Sequence, residues 1–124
     1  MTRRFPRTEP LIPDDLRAAL VANGRTSEEQ EDFDPHPVVK LFTPDGSATW
    51  LITEGYEELD GDLRLFGLCD LGLGNPELGY VMLSEIEDVR GGLGLPVERD
   101  LYFKPEYRLS RYAEIANHAG RIVT

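Results

Sequence analysis

The chain has 124 residues, 40% of them hydrophobic, and a formal net charge of −10. This length fits one domain, residues 1–124, and the composition is that of a globular protein. No apolar run approaches the roughly 18 residues that a membrane-spanning helix needs. The basic N-terminus has no apolar stretch after it, so a signal peptide is not expected. The single cysteine, Cys69, allows no internal disulfide, and together these features predict a cytoplasmic protein.

The charge is unevenly distributed along the chain. Residues 1–25 carry five bases and three acids, residues 26–62 one base and eleven acids, and residues 63–124 seven bases and nine acids. The middle third disfavours binding to nucleic acid, because its acids repel phosphates. It is either a set of solvated linkers or an acidic surface that meets a basic partner protein. The candidate residues of that surface are Glu54, Glu57, Glu58, Asp60 and Asp62.

The first third of the chain predicts one helix between two irregular segments. Residues 1–11 are basic and contain two prolines, which indicates a loose arm. Pro13 suits a first helical turn, acids follow it at the positive end of the helix dipole, and Gly24 is a typical stop. Residues 25–37 are polar and acidic and are predicted to be a linker.

Four strands are predicted in succession after the linker. Residues 38–42 and 48–53 flank the turn sequence Thr-Pro-Asp-Gly and form the clearest hairpin signal in the chain. Residues 63–70 form a third strand, in which Gly67 indicates a bulge or a close backbone contact. Residues 78–83 form a fourth, and the short links favour an antiparallel meander.

The last third predicts two helices and one more strand. Ser84 and Glu87 have the spacing of a capping box, which would begin a short helix. Residues 97–103 read as a fifth strand, and Ser110 and Gly120 would cap and end a last helix. The fold class is therefore α+β: a four- to five-stranded, mainly antiparallel sheet with two to three helices, expected on one face.

No catalytic motif, metal site or cofactor site is predicted from spacing. The glycine-rich segments 71–74 and 91–94 lack the dinucleotide fingerprint and suit turns better. His36, His118 and Cys69 have no zinc-ligand spacing, and Cys69 reads as a small buried apolar residue.

Two further sites are predicted on weaker signals: a cluster of carboxylates and a basic, aromatic segment. If strands four and five were neighbours, carboxylates could converge to bind Mg²⁺ or act as an acid/base pair; the alternative is ion pairing and helix-start charge. These carboxylates are Glu77, Glu85, Glu98 and Asp100. Aromatic residues at 102, 103, 107 and 112 interleave with bases, the composition of a single-strand platform, although acids dilute it.

Four stretches together resemble a family of small bacterial proteins known as a domain of unknown function. They are residues 38–45 with Thr49 and Trp50, residues 65–68, residues 77–87 and residues 94–103. The resemblance covers about residues 11–105 and lends no catalytic residues. It implies a setting, because such proteins are frequent on conjugative plasmids and other mobile elements.

Two functions from different classes follow. The first is a non-enzymatic accessory of a mobile element that binds a protein with a basic surface and interferes with host defence. The alternative is a metal-dependent hydrolase of nucleic acid or nucleotide that uses the four carboxylates.

Overall fold

The computed structural model describes residues 4–124; Met1, Thr2 and Arg3 of the predicted arm lie outside the described residues. The elements in chain order are α1 (Asp14–Glu29), β1 (Val39–Phe42), β2 (Thr49–Glu57), β3 (Leu63–Asp70), β4 (Glu77–Met82), α2 (Leu83–Asp88), β5 (Glu98–Arg99) and α3 (Leu109–Ala119). The strands form one sheet in the order β4-β3-β2-β1-β5, and all its pairings are antiparallel. The predicted α+β class is confirmed.

Helices cover both faces of the sheet, so the expectation that they share one face is wrong. Trp50 and Ile52 of β2 belong to one core, together with Leu20 of α1 and Ile86 of α2. The intervening Leu51 belongs to a second core on the other side. That second core also contains Leu68 of β3 and Leu109, Tyr112 and Ala116 of α3. We call the two sides the α1 face and the α3 face.

Helix α1 continues to Glu29, so the prediction that it stops at Gly24 is wrong. Its second half lies beside the part of β2 that extends past Ile52, the partner of the first residue of β1, Val39. There the Asn23 side-chain amide donates to the Thr53 carbonyl at 2.9 Å, and a Cβ on Gly24 would lie 2.5 Å from the Gly55 carbonyl oxygen. Glycine therefore permits close helix–strand packing here, and the first part of the predicted linker is helical.

Gly67 in β3 makes the close backbone contact that its sequence position predicts. A Cβ there would lie 2.0 Å from the Leu51 carbonyl oxygen of the neighbouring strand. The register between β2 and β3 shifts between Ile52 and Glu54, so the bulge lies on β2, across from the glycine.

Two helix starts and one strand differ from expectation. Helix α2 begins at Leu83, and the Met82 N–H donates to Glu85 Oε1 at 3.0 Å, so the capping box predicted from Ser84 is wrong by two residues. Ser110 lies inside α3, whose cap position is Arg108. The predicted fifth strand shortens to two residues, since the Asp100 carboxylate accepts the Tyr102 N–H at 2.9 Å in a turn.

The described part of the predicted arm is bonded to the segment between α2 and β5. Arg4 forms an ion pair with Asp88 at 3.0 Å. The Phe5 N–H donates to the Gly94 carbonyl at 2.9 Å, and the Arg7 guanidinium donates to the Val97 carbonyl.

Candidate functional site

Two aspartates of residues 26–62, which we call the acidic third, accept hydrogen bonds from the first turns of helices. Asp34 accepts hydrogen bonds from the Ser110 N–H at 3.0 Å and from the Ser110 hydroxyl, at the start of α3. Asp62 accepts from the Ser84 N–H at 3.2 Å and from the Ser84 hydroxyl, at the start of α2. Both carboxylates therefore satisfy the free N–H groups of a helix that lies far along the chain.

Two more aspartates, Asp45 and Asp70, accept hydrogen bonds from the backbone of loops. Asp45 Oδ2 accepts from the backbone N–H groups of Leu93 at 2.7 Å and Leu95 at 3.3 Å. The glycine-rich segment 91–94 thus surrounds a carboxylate of its own chain, which leaves those N–H donors unavailable to a phosphate. Asp70, 3% exposed, accepts from the N–H groups of Gly72 and Ile122, both at 2.9 Å, and so attaches the C-terminal segment to β3.

The structure divides the five predicted residues of the acidic surface. Glu54 is 5% exposed and accepts from the Thr53 hydroxyl. Glu58 forms an ion pair with Arg64 at 3.2 Å. Asp62 is the anchor of α2. Glu57 and Asp60 are exposed, so these two are available to a partner.

Exposed acids from two parts of the chain lie at the same end of the sheet. A side-chain hydrogen bond joins Ser27 and Tyr56, which places the last turn of α1 beside the end of β2. Burial raises the pKa of the Tyr56 phenol and outweighs the hydrogen bond with Ser27, which lowers it. The charges of Glu54 and Glu28 raise the pKa further. We call the exposed acids that neighbour Ser27 and Tyr56 along the chain the acidic end. They are Glu28, Glu29, Glu31, Asp32, Glu57 and Asp60.

The four candidate catalytic carboxylates do not converge. Glu77 is on β4 and Glu98 on β5, the two outermost strands, which are separated by roughly 19 Å at the usual strand spacing. Glu85 accepts the N–H of Met82, the last residue of β4, and Asp100 forms an ion pair with Lys40 at 3.5 Å. Among residues 4–124 no group of three or more His, Cys, Asp or Glu side chains could hold a metal ion. The condition on which the hydrolase alternative depended is therefore not met.

Cys69 is in an environment that suppresses its reactivity. Burial raises the pKa of its thiol to about 11. The thiolate is the nucleophilic form, so very little of it is present at neutral pH. This agrees with the interpretation of Cys69 as an apolar packing residue.

The late aromatic residues pack mainly on one another. Tyr112 is buried, its hydroxyl accepts the Glu106 N–H at 2.9 Å, and its ring lies 5.4 Å from Tyr107 and 6.5 Å from Phe103. Tyr102 remains exposed. Two of the bases among them also have partners: Arg108 donates to the Asp34 carbonyl, and Arg111 pairs with Glu114. Most of this segment therefore serves the packing of α3 and does not form an open stacking platform.

An open sheet edge was missed by the sequence analysis. In the described part of the chain, strand β4 pairs with β3 alone, and Leu78 and Tyr80 on its α3 face are 48% and 58% exposed. The Arg64 guanidinium lies 4.8 Å from the ring centroids of both Tyr56 and Tyr80. Alternation of Leu78 and Tyr80 indicates a strand face, but only the strand order shows that this strand is at an edge.

The fold and these surfaces define a small α+β domain with an acidic end and an open sheet edge. A family model described as "Protein of unknown function (DUF2958)" matches residues 11–123, so the chain belongs to this family. The match extends beyond the resemblance seen in the sequence, because it also includes α3. A search of curated proteins found no match, and a search of solved structures found none. No helix within residues 4–124 is long and apolar enough to span a membrane.

Proposed function

We propose that this chain is a non-enzymatic accessory protein that binds another protein through its acidic end. The observation that carries the proposal is the division of the acids. Asp34, Asp45 and Asp62 accept hydrogen bonds from distant segments, whereas the six acids of the acidic end are exposed. Asp60 accepts the Asp62 N–H at 3.0 Å within its own turn but stays exposed, so the negative potential of the six carboxylates is available to a partner.

A single-sign surface acts mainly on the rate and selectivity of association. It attracts a basic partner over about one Debye length, which is near 8 Å at physiological salt, and it repels acidic surfaces and nucleic acid. The expected partner therefore presents a basic groove or patch. Association should slow as salt is added.

The setting of the proposal comes from the family resemblance. Small proteins of this kind on plasmids and other mobile elements suggest an accessory that acts in the cytoplasm and interferes with host defence. A host protein that handles nucleic acid through a basic groove would fit the acidic end, because the groove is already complementary to negative charge.

The test is affinity capture from the native host with two triple variants of equal net charge. Glu28→Lys, Glu31→Lys and Glu57→Lys change the acidic end, whereas Glu9→Lys, Glu98→Lys and Glu106→Lys change exposed acids elsewhere. A partner identified by mass spectrometry and purified should bind the wild type and the control variant. It should bind the acidic-end variant more weakly, with less dependence on salt. Equal binding of both variants would contradict the proposal.

A further inference from the structure

Within the described residues 4–124, strand β4 has an unpaired edge that contains no lysine, proline or bulge. Its six residues, Glu77–Met82, pair there with β3 on one side only. Edge strands of soluble proteins commonly carry lysine, proline or a bulge that blocks pairing with another chain. Strand β4 has no lysine or proline, and its exposed Leu78 and Tyr80 make it apolar. Such an edge is a template for one more strand.

Gly79, at the middle of β4, has no role in the fold that requires glycine. Its φ is not positive, and a Cβ built on it would meet no atom within 4 Å. Its partner in the sheet, Gly67, differs, because a Cβ there would collide with the Leu51 carbonyl. Gly67 is buried, whereas Gly79 is half-buried and leaves open space on the α1 face at the sheet edge. An aromatic side chain from an added strand characteristically covers such an edge glycine.

Carboxylates lie at both ends of β4. Glu77 is its first residue, and Glu85 is at its far end, where it accepts the Met82 N–H at 3.0 Å. Both side chains are exposed. A second copy pairing antiparallel through β4 would bring Glu77 of one chain to the Glu85 end of the other, where like charges repel. A segment with bases at both ends is favoured instead.

We propose that an extended segment of a partner protein adds to β4 as a sixth strand. An aromatic residue of the segment lies opposite Gly79, aliphatic residues lie beside Leu78 and Tyr80, and Lys or Arg lies near Glu77 and Glu85. The proposal rests on the protein-binding function above and names the docking edge, which is continuous with the acidic end because Met82 pairs with Arg64 near the β2–β3 hairpin.

The probe is a fluorescein-labelled peptide, Arg-Lys-Thr-Val-Phe-Val-Thr-Lys-Arg, titrated with the full chain and followed by anisotropy. Two control peptides have the same composition: one is scrambled, and one is N-methylated at alternate residues so that it cannot complete a backbone ladder. We expect each control to raise the Kd at least about tenfold. No anisotropy change up to about 1 mM protein, or equal binding of the N-methylated peptide, overturns the proposal.

Two protein variants test the recognition elements. Gly79→Val occupies the space that the aromatic residue of the probe would cover, so it should raise the Kd of the probe at least about tenfold. It should not lower the thermal midpoint of the protein. Glu77→Gln with Glu85→Gln should weaken it about three- to tenfold and reduce the salt dependence. An unchanged Kd in Gly79→Val overturns the proposed register.

The two proposals fail separately. If Gly79→Val still binds the purified host partner as the wild type does, the docking edge is wrong and the protein-binding function stands. If the acidic-end variant and its control bind that partner equally while the probe still binds β4, the proposed function of the acidic end fails and the edge remains.

Discussion

Asp34 and Ser110 are 76 positions apart, yet the carboxylate of the first accepts both the N–H and the hydroxyl of the second. The N-cap residue of α3, Arg108, makes no side-chain capping bond. The loop after α1 therefore supplies the cap that α3 lacks in its own sequence. This bond joins the acidic third to the only helix on the α3 face within the described chain.

Replacement of Asp34 should destabilise the fold by an amount typical of a lost helix cap. We expect Asp34→Ala to lower the free energy of unfolding by about 1–2 kcal/mol in a urea titration. Asp34→Asn keeps an acceptor oxygen and should lose less. Asp32→Ala, an exposed neighbour, is the matched control and should stay within about 0.5 kcal/mol of wild type. Equal losses at both positions would contradict the capping role.

The Asp62–Ser84 contact predicts a pH dependence of stability. The hydrogen bond from the Ser84 hydroxyl is the largest cause that lowers the pKa of Asp62 from its ordinary value of 3.8. Since the folded-state pKa is below the unfolded one, the stabilisation is complete above the unfolded value and is lost as pH falls through the folded value.

Asp62→Asn should therefore differ from wild type most near pH 6, and the difference should shrink below about pH 4. Urea titrations across that range measure it. Ser84→Ala removes the donor and should reduce the same pH slope. A difference that stays constant with pH would show that the carboxylate charge is not involved.

The paired glycines Gly67 and Gly79 should respond oppositely to alanine. Gly67→Ala forces a Cβ against the Leu51 carbonyl and should cost about 1–3 kcal/mol in unfolding free energy. Gly79→Ala meets open space and should stabilise the strand by about 0.5–1 kcal/mol. The two variants control for each other, because they are opposite one another in the sheet. A loss in Gly79→Ala comparable with that in Gly67→Ala would refute the assignment.

Cys69 should be slow to alkylate in the folded protein. With a pKa of about 11, its thiolate fraction at pH 8 is roughly one in a thousand. Iodoacetamide should then react at least about a hundredfold more slowly than with a free cysteine peptide. The same measurement in urea should restore the ordinary rate. Fast labelling of the folded chain would show that the thiol is activated.

Local signals predicted the elements whose ends depend on nearby residues. The turn at Pro44, Asp45 and Gly46 gave the β1–β2 hairpin, residues 63–70 form β3 as expected, and Gly120 ends α3 with φ 75°. In each case turn chemistry or alternation decides the outcome without help from distant residues.

Features that depend on tertiary contacts were not predictable. Helix α1 continues past Gly24 because that glycine allows close packing against Gly55 of β2. Helix α3 begins where the Asp34 carboxylate accepts the Ser110 N–H. The carboxylates scatter because β5 pairs with β1 and not with β4. Strand order also made β4 an edge. No pattern within one element carries that information, since the partner of a strand is chosen by the rest of the chain.

The four aspartate anchors change how a mutational scan of this chain should be interpreted. Neutralising Asp34, Asp45, Asp62 or Asp70 removes an acceptor that holds a distant segment, so weaker binding in such variants would report lost folded protein. Neutralising the exposed glutamates of the acidic end changes mainly the surface potential, whereas Asp60 also accepts the Asp62 N–H at 3.0 Å. A library that treats all twenty-three acids alike would mistake a loss of folded protein for a loss of partner binding. Separating the acids that accept hydrogen bonds in the fold from those that do not distinguishes the two effects.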